Sequence, residues 1–454
     1  MTRYLIGALC SALLLSGCSH NTERPDELPA VPSQWRHAQA GEPVTDTWWR
    51  GFASTELDAL IDEALRNNQD LAAAAARLRQ AEAATRAAGA PLLPRLDGNL
   101  SGNREGRLGG NADSSGNRYS GGLAASYEVD LWGRLAADYD ATRAELDASR
   151  FDRDALRLSL TATLVETWLR QVALDELLRL ADLNLSNAER VLATVQARAN
   201  AGAATPLEVA QQRGLAAEQR RHREELRQQA DDVRSKLAVL LGQGEPAAQS
   251  STSLSRLQAP SLDARLPADL LLRRPDLARA EAQLSAANAN LRVARAALLP
   301  RLNLSVGANN AVGSLNRIFA DPVYSLAAAL TAPIFDGGAL AAERDRSAAR
   351  REELLANYRQ TIIEAFADVQ VALNAGSGVE AQWRAQEDVK TQAERALQIA
   401  ERRYQAGADD LLNLLDAQRT LYAAEDQSVL LRLARLQSGV ALARALGGGW
   451  VKAD

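Results

Sequence analysis

The 27 residues from Asp70 to Leu96 (DLAAAAARLRQAEAATRAAGAPLLPRL) return from Asp276 to Leu302 (DLARAEAQLSAANANLRVARAALLPRL). At a constant shift of about 206 residues, roughly 16 of these positions are identical, far above chance. Farther along, the turn Ala201-Gly202-Ala203 recurs as Ala406-Gly407-Ala408 at a shift of about 205. A period close to half of the 454-residue chain marks a duplicated half-domain, not a solenoid of short repeats. Whatever one half builds, the fold has to accommodate twice.

The N-terminus reads as a processed segment. Arg3 supplies positive charge, Tyr4 to Leu15 an apolar run, and Ser16-Gly17 lead into Cys18, so residues 1–17 are expected to be a signal peptide. Leu15-Ser16-Gly17-Cys18 fits the bacterial lipobox, in which Cys18 is acylated and becomes the first mature residue; the alternative is an ordinary signal peptide cut at a small residue. Cys10 leaves with the peptide, so a mature chain with Cys18 alone forms no internal disulfide. Ser19, in place of the aspartate that commonly retains lipoproteins in the inner membrane, favours sorting to the outer membrane. One acyl chain anchors weakly, so firm residence requires further chains or embedded protein.

Beyond the signal no apolar run approaches the ~20 residues of a membrane helix. A mean hydropathy of -0.24 and a formal charge of -5 point to neither a helical membrane protein nor a nucleic-acid binder. Ala, Leu, Arg, Glu and Gln dominate and aromatics are only 4%, the composition of long helices.

The order of elements divides the mature chain into an N-terminal collar segment, 18–56, a first repeat, 57–260, and a second, 261–454. Each half is expected to open with a short amphipathic helix; Leu57, Leu60, Ile61, Ala64 and Leu65 stand at helical spacing after Ser54-Thr55. A second helix runs from about Asp70 to Ala90 and stops at Pro-Leu-Leu-Pro. The period then changes to two. Leu302, Leu304, Val306 and Ala308 alternate with Asn303, Ser305, Gly307 and Asn309, and Leu326, Ala328, Leu330, Ala332 and Ile334 hold one face of a partner. The spacing predicts strands over about 301–312 and 325–334, and in the first half over about 96–107 and 120–131, with loops at Leu108–Tyr119 and Gly313–Val323.

Strands of about ten residues, apolar on one face and small or polar on the other, match transmembrane β-strands; soluble hairpins packed on helices are the alternative. The count matters here. Four strands are too few to close a membrane barrel, for which about eight is the minimum. An open sheet in lipid leaves edge N–H and C=O groups unpaired at several kcal/mol each. Membrane strands in this chain therefore require several subunits in one barrel.

Each strand pair feeds a helical hairpin far too long for a globular core. The first spans about 135–241: no Pro or Gly occurs from Leu135 to Asn200, a run of roughly 100 Å, before the return from Thr205 to Leu241. The second spans about 340–446, with an interruption expected at Asn374-Ala375-Gly376-Ser377-Gly378. Gly242 to Pro260 links the halves.

These features resemble the bacterial outer-membrane efflux proteins, TolC-like, and among them the OprM-type lipoprotein branch. The resemblance covers essentially the whole mature chain. It rests on Trp48-Trp49 with Phe52, Leu57-Asp58 and Asn67-Asn68; on Arg273-Arg274-Pro275-Asp276 through Arg301-Leu302; on Tyr404-Gln405-Ala406-Gly407 followed by Leu414-Leu415-Asp416-Ala417-Gln418-Arg419; and on Ala445-Leu446-Gly447-Gly448-Gly449-Trp450. It implies an α+β membrane protein: a homotrimer whose twelve-stranded β-barrel, four strands per chain, continues into a long periplasmic α-helical barrel. It further implies a passive, gated conduit for small molecules in the outer membrane of a Gram-negative bacterium. Its implied partners are a periplasmic adaptor (membrane fusion protein) and an inner-membrane pump of the RND class. No cofactor is expected beyond covalent lipid on Cys18.

With the turns at Gly202 and Gly407 as periplasmic tips, the resemblance places the gate just inside them. Leu412 and Asp416 are four apart and share a helix face, with Arg419 one turn on. They are similar to the leucine and aspartate that seal the resting channel in this family. The other half offers Leu207 and Gln211, so a trimer presents one ring of three Asp416 carboxylates beside a leucine ring, an apolar plug with a cation-favouring collar. Two other readings stand beside this: Asp416 and Arg419 as a surface ion pair, or Arg419 bracing a neighbouring helix. Tyr404 either locks the tip by hydrogen bonding to the adjacent hairpin or packs as an aromatic. Gly202, Thr205, Gly407 and Asp409 are the expected tip residues met by an adaptor.

Nothing in the sequence points to an enzyme. His20, His37 and His222 are isolated, no His/Cys cluster suggests a metal, and neither a P-loop nor a Gly-x-Ser-x-Gly elbow is present. Trp48, Trp49 and Trp450 read as packing anchors of the collar. The competing functions are the outer-membrane component of type I secretion and a non-pore acylated periplasmic adaptor or scaffold. An adaptor has one hairpin, whereas two are expected here, and a coiled-coil scaffold lacks alternating strands.

Overall fold

The computed structural model describes residues 28–38, 40–110, 116–318 and 320–452; the signal peptide and Cys18 lie outside the described residues. Leu28–Val31 belongs to an N-terminal unit of its own and has no helix or strand; the remainder, from Pro32, forms the second unit. In the second unit the first half provides α1 (Thr55–Asn67), α2 (Gln69–Gly89), β1 (Arg95–Glu105), β2 (Gly116–Val129), α3 (Arg134–Asn200) and α4 (Pro206–Leu241). The second half provides α5 (Pro275–Ala296), β3 (Arg301–Val312), β4 (Val323–Thr331), α6 (Ala339–Gln405) and α7 (Leu411–Ala445).

Local chemistry sets the boundaries. Ser54 accepts from the Leu57 N–H (3.2 Å) to start α1, and Asn68 accepts from Asp70 and Leu71 to start α2. The Asn68 amide also donates to the Leu240 carbonyl (3.1 Å), tying this junction to the end of α4. At each strand-to-helix elbow one aspartate caps the long helix. Asp130 accepts from the N–H groups of Leu135 and Ala136, and Asp336 from those of Gly338 and Leu340. The four bonds are 2.8–3.1 Å long, and the elbows turn through Gly133 and Gly338 at φ 70° and 88°. These backbone donors hold the Asp336 carboxyl below its usual range.

Two expectations are corrected. The second half does not open with an amphipathic helix; its counterpart of α1 is a six-residue 3-10 turn, Pro267–Leu272. Pro275 keeps Arg274 extended and cuts this segment short. The expected break at Asn374–Gly378 is absent, because α6 is one helix of 67 residues. Each glycine there costs about 1 kcal/mol of helix propensity. Packing overrides that cost: Ala372 and Leu373 are buried, and a Cβ on Gly376 would lie 3.8 Å from Ser438 of α7. The strands shift by a few residues, β2 starting at Gly116 and β4 ending at Thr331.

The sheet is antiparallel in the order β1-β2-β3-β4. Pairing of β2 with β3, Leu123 opposite Ala308 and Tyr127 opposite Leu304, joins the two halves. Three apolar cores hold the helices. One gathers Trp48, Trp49, Phe52, Leu57, Ile61, Trp168, Leu237 and Val440. The Trp168 indole N–H donates to Glu56 (3.1 Å), which also accepts from Thr252 of the linker (2.9 Å). A second core gathers Trp35, Leu277, Ile362, Phe366 and Val369, and a third lies at the hairpin tips.

The Arg-Arg-Pro-Asp motif fastens the second core. Arg274 is largely buried, pairs with Asp276 (2.7 Å) and Asp368 (3.0 Å), and donates to the Ala445 carbonyl at the end of α7 (3.2 Å). Burial alone would raise the Asp276 carboxyl, but the guanidinium holds it below its usual range. Gly447 follows at φ 84°, where a Cβ would fall 1.9 Å from the Arg273 carbonyl oxygen.

Candidate functional site

Every position of β1 and β4 is exposed, on both faces. The register sorts the residues over most of the sheet, with Arg104, Asn117 and Asn310 falling on the leucine face toward the loops. Leu96, Leu100, Leu123, Ala125, Tyr127, Leu304, Val306, Ala308, Leu326 and Leu330 share one face. Arg95, Asp97, Asn99, Ser101, Asn103, Ser120, Ser126, Glu128, Asn303, Ser305 and Asn309 share the other. The polar face has internal partners: Arg95 pairs with Asp97 (2.9 Å) and Ser101 with Ser120 (2.6 Å). On the apolar face Ile318 packs beside Gly121 and Leu100 at the loop end, while Leu100 and Leu326 remain 71% and 73% exposed. An apolar surface this continuous belongs against lipid or another protein. Among the described residues the outer edges of β1 and β4 have no partner strand. No described helix is long and apolar enough to cross a membrane.

At the far end of the hairpins the two halves build the same turn. Gly202 and Gly407 adopt φ 74° and 70°, and the next residues close the helices: Ala203 N–H donates to Arg198 (2.7 Å) and Ala408 N–H to Arg403 (2.9 Å). Both glycines have open space where a Cβ would stand. The return helices start differently. Thr205 forms a capping box with Glu208, whereas Asp410 caps α7 by accepting from the Asn413 N–H (3.1 Å). Asp409 accepts from the Asn413 amide (2.6 Å) and pairs with Arg403 (3.0 Å), and these contacts hold its carboxyl below the usual range.

Leu412, Asp416 and Arg419 lie on one face of α7 and all three are exposed, Leu412 at 60%. The same stripe continues through Ala423, Gln427 and Leu430, all exposed. The opposite face is buried through Leu411, Leu414, Leu415 and Gln418. Asp416 and Arg419 form no ion pair with each other or with any described residue. The duplicate position Leu207 is exposed likewise, and Gln211 is half-buried.

Tyr404 packs as a buried aromatic in the tip cluster. Its side chain is 3% exposed, and its hydroxyl has no hydrogen-bond partner among the described residues. Burial raises its pKa, while the nearby Arg198 guanidinium pulls the other way. The tie between hairpins runs instead through Arg198 of α3, which donates to the Tyr404 carbonyl (2.8 Å) and sits 4.6 Å from the centre of its ring. Sequence reasoning missed Arg198, although the repeat contains the signal. Arg198 and Arg403 are equivalent at the shift of about 205. Only the second half supplies an aspartate, Asp409 opposite Ala204, to occupy its arginine. Arg198, left without a local carboxylate, crosses to the other hairpin.

Among the described residues no cluster of His, Cys, Asp or Glu has the geometry of a metal site. The chain matches the outer membrane efflux protein family twice, over residues 60–243 and 266–448. It is 47% identical to the pyoverdine export outer membrane protein OpmQ of Pseudomonas aeruginosa, across 98% of this chain and 96% of that protein. It is 33% identical to the cation efflux system protein CusC of Escherichia coli, across 97% and 98%. Among solved structures it resembles the outer-membrane channel OprN, with a TM-score of 0.86 at 27% identity, covering 95% of this chain and 100% of that one.

Proposed function

This chain belongs to the outer membrane efflux protein family and is a non-enzymatic outer-membrane component of an efflux system, and from that premise we propose how its surfaces divide the work. Three copies join β4 of one chain to β1 of the next, closing a twelve-stranded barrel with the leucine face toward lipid and the polar face toward the lumen. The observation that carries this reading is the four-stranded sheet, apolar on one side, polar on the other and open at both edges. Lipid cannot satisfy an open edge, so closure with further copies is the arrangement that pairs every strand.

The hairpins then extend into the periplasm. The exposed stripe of α7 lines the lumen near the tip, with rings of Leu412 and Asp416 forming the seal and Arg419 one turn beyond. An apolar ring excludes water, and three carboxylates beside it favour cations. Arg198, through the Tyr404 carbonyl and ring, holds the second hairpin against the first. The tip surface around Gly202, Thr205, Gly407 and Asp409 meets the periplasmic adaptor, because the two glycines leave backbone accessible there. The inner-membrane pump, of the RND class, supplies the energy, and acyl chains on Cys18 anchor the trimer beside the barrel.

The cargo is a small organic molecule. Support comes from the higher identity to a protein named for pyoverdine export than to one named for cation efflux. The sequence also has Met1 as its single methionine, so soft-metal thioether sites along the wall are lacking.

Planar-bilayer conductance of the purified oligomer tests the pore and the seal together. Wild type should conduct in small steps, and the Leu412→Ala, Asp416→Ala variant in much larger ones. Equal steps remove these residues from the seal, and an oligomer that never conducts removes the pore.

A further inference from the structure

The polar ties of α7 are unevenly distributed along its length. From Leu411 to Ala423, about 20 Å of helix, no side chain forms a hydrogen bond or ion pair with another helix among the described residues. Asn413 bonds only to the local turn residues Asp409 and Asp410. The next five residues hold four ties to three helices. The Gln386 amide of α6 donates to the Ala424 carbonyl (3.0 Å), and the Asn184 amide of α3 to Glu425 (3.1 Å). His222 of α4 meets Asp426 (3.0 Å), and Ser428 donates to Glu387 of α6 (2.8 Å). Beyond them Arg435 pairs with Glu380 (2.7 Å) and stacks over Trp383 (4.6 Å).

The untied segment is also the one whose burial is least well satisfied. Gln418 is 1% exposed, and among the described residues neither its amide nor the buried Tyr422 hydroxyl is hydrogen-bonded to another helix. Apolar contacts of Leu411, Leu414, Leu415 and Leu421 hold this segment in place, and such contacts slide more readily than directed bonds. At the tip the second hairpin is fastened by Arg198 on Tyr404.

We propose that Ala424–Ser428 is the fulcrum on which the tip of α7 swings, and that Asn184, His222, Gln386 and Glu387 are positioning residues for gating. The inference rests on the tip seal proposed above and adds where its movement stops. Leu412, Asp416 and Arg419 ride on the moving arm. Leu430, on the same exposed stripe but past the ties, stays with the body of the bundle.

The test uses the full-length oligomer in lipid vesicles, with a nitroxide at Thr420 or at Leu430 and the distances between protomers measured by pulsed spin resonance. The seal is loosened by Arg198→Leu with Asp416→Ala, and conductance is recorded on the same preparations. Conductance should rise, the distance distribution at position 420 should broaden at least twofold, and that at 430 should stay as in wild type. Adding Asp426→Leu should broaden 430 as well. The reciprocal pair His222→Asp, Asp426→His should restore it, which a change in stability alone does not explain. Should Asp426→Leu prevent assembly, Asn184→Leu serves in its place. Equal broadening at 420 and 430 with the ties intact overturns the fulcrum while leaving the seal standing. So does an unchanged 430 once a tie is cut. Unchanged conductance in the loosened variant refutes the seal itself, and the fulcrum with it.

Discussion

Leu326 and Ala327 are neighbours on β4 that point to opposite faces of the sheet, so the same substitution at each is a direct test of the barrel. Leu326 pairs with Val306 on the leucine face and Ala327 with Ser305 on the polar face. Both stand near the middle of a nine-residue strand, which the proposed barrel sets close to the bilayer midplane. An arginine on the lipid face at that depth costs about 2–4 kcal/mol, and a closed trimer carries it three times. The sum, about 6–12 kcal/mol, is comparable with the whole stability of an ordinary fold, about 5–15 kcal/mol. Leu326→Arg should therefore abolish the assembled oligomer in outer-membrane fractions, read as loss of the slow-migrating band in unheated gels. Ala327→Arg places its charge in water and should leave that band intact. It adds three positive charges to the lumen wall, so it should shift ion selectivity toward anions at low salt. The shift should shrink in 1 M salt, where screening acts within about 3 Å. Equal damage from both substitutions, or survival of Leu326→Arg alone, refutes the assignment of faces and the barrel built on it.

Gly447→Ala forces a Cβ to 1.9 Å from the Arg273 carbonyl at a positive φ; it should lower the yield of folded protein at least tenfold, whereas Gly202→Ala, in open space, should cost less than 2 kcal/mol, visible as a modest change in melting temperature. Burial pushes the carboxyls of both Glu425 and Asp426 up, and they face Asn184 on α3, His222 on α4, and Lys390 and Glu394 on α6. Carboxyls raised in the folded state favour packing below the ordinary range, about pH 4, and that contribution is lost as pH climbs through their raised values. The thermal midpoint should accordingly fall over this interval, and Glu425→Gln with Asp426→Asn should flatten the dependence. Cys18→Ser should abolish incorporation of labelled fatty acid; label persisting on the mutant refutes the lipobox reading.

Much of this architecture is legible in the chain because it is periodic. The duplicated Asp70–Leu96 and Asp276–Leu302 segments, the change of period at Leu302, and the Gly202 and Gly407 turns are local patterns, set by helix geometry, strand alternation and backbone freedom. Leu412, Asp416 and Arg419 were legible as one helix face for the same reason. What local pattern misjudged was decided by neighbours. Gly376 and Gly378 look like a break, yet α6 runs through them as one helix, with Gly376 against Ser438 of α7. Tyr404 reads from sequence as either a tip lock or a packing aromatic; the apolar cluster of Leu411, Leu414 and Leu415 buries it, and the tie between hairpins runs through Arg198.

The two faces of the sheet were determined by sequence alone, since alternation along a strand needs no partner to be read. The pairing across the repeat was not: the join of β2 to β3 depends on where roughly 170 intervening residues return the chain, a long-range matter that residue order does not encode locally. The same holds for the ties on α7. Asn184, His222 and Gln386 are ordinary polar residues in three separate helices, and only the packing of those helices brings them onto Ala424, Glu425 and Asp426.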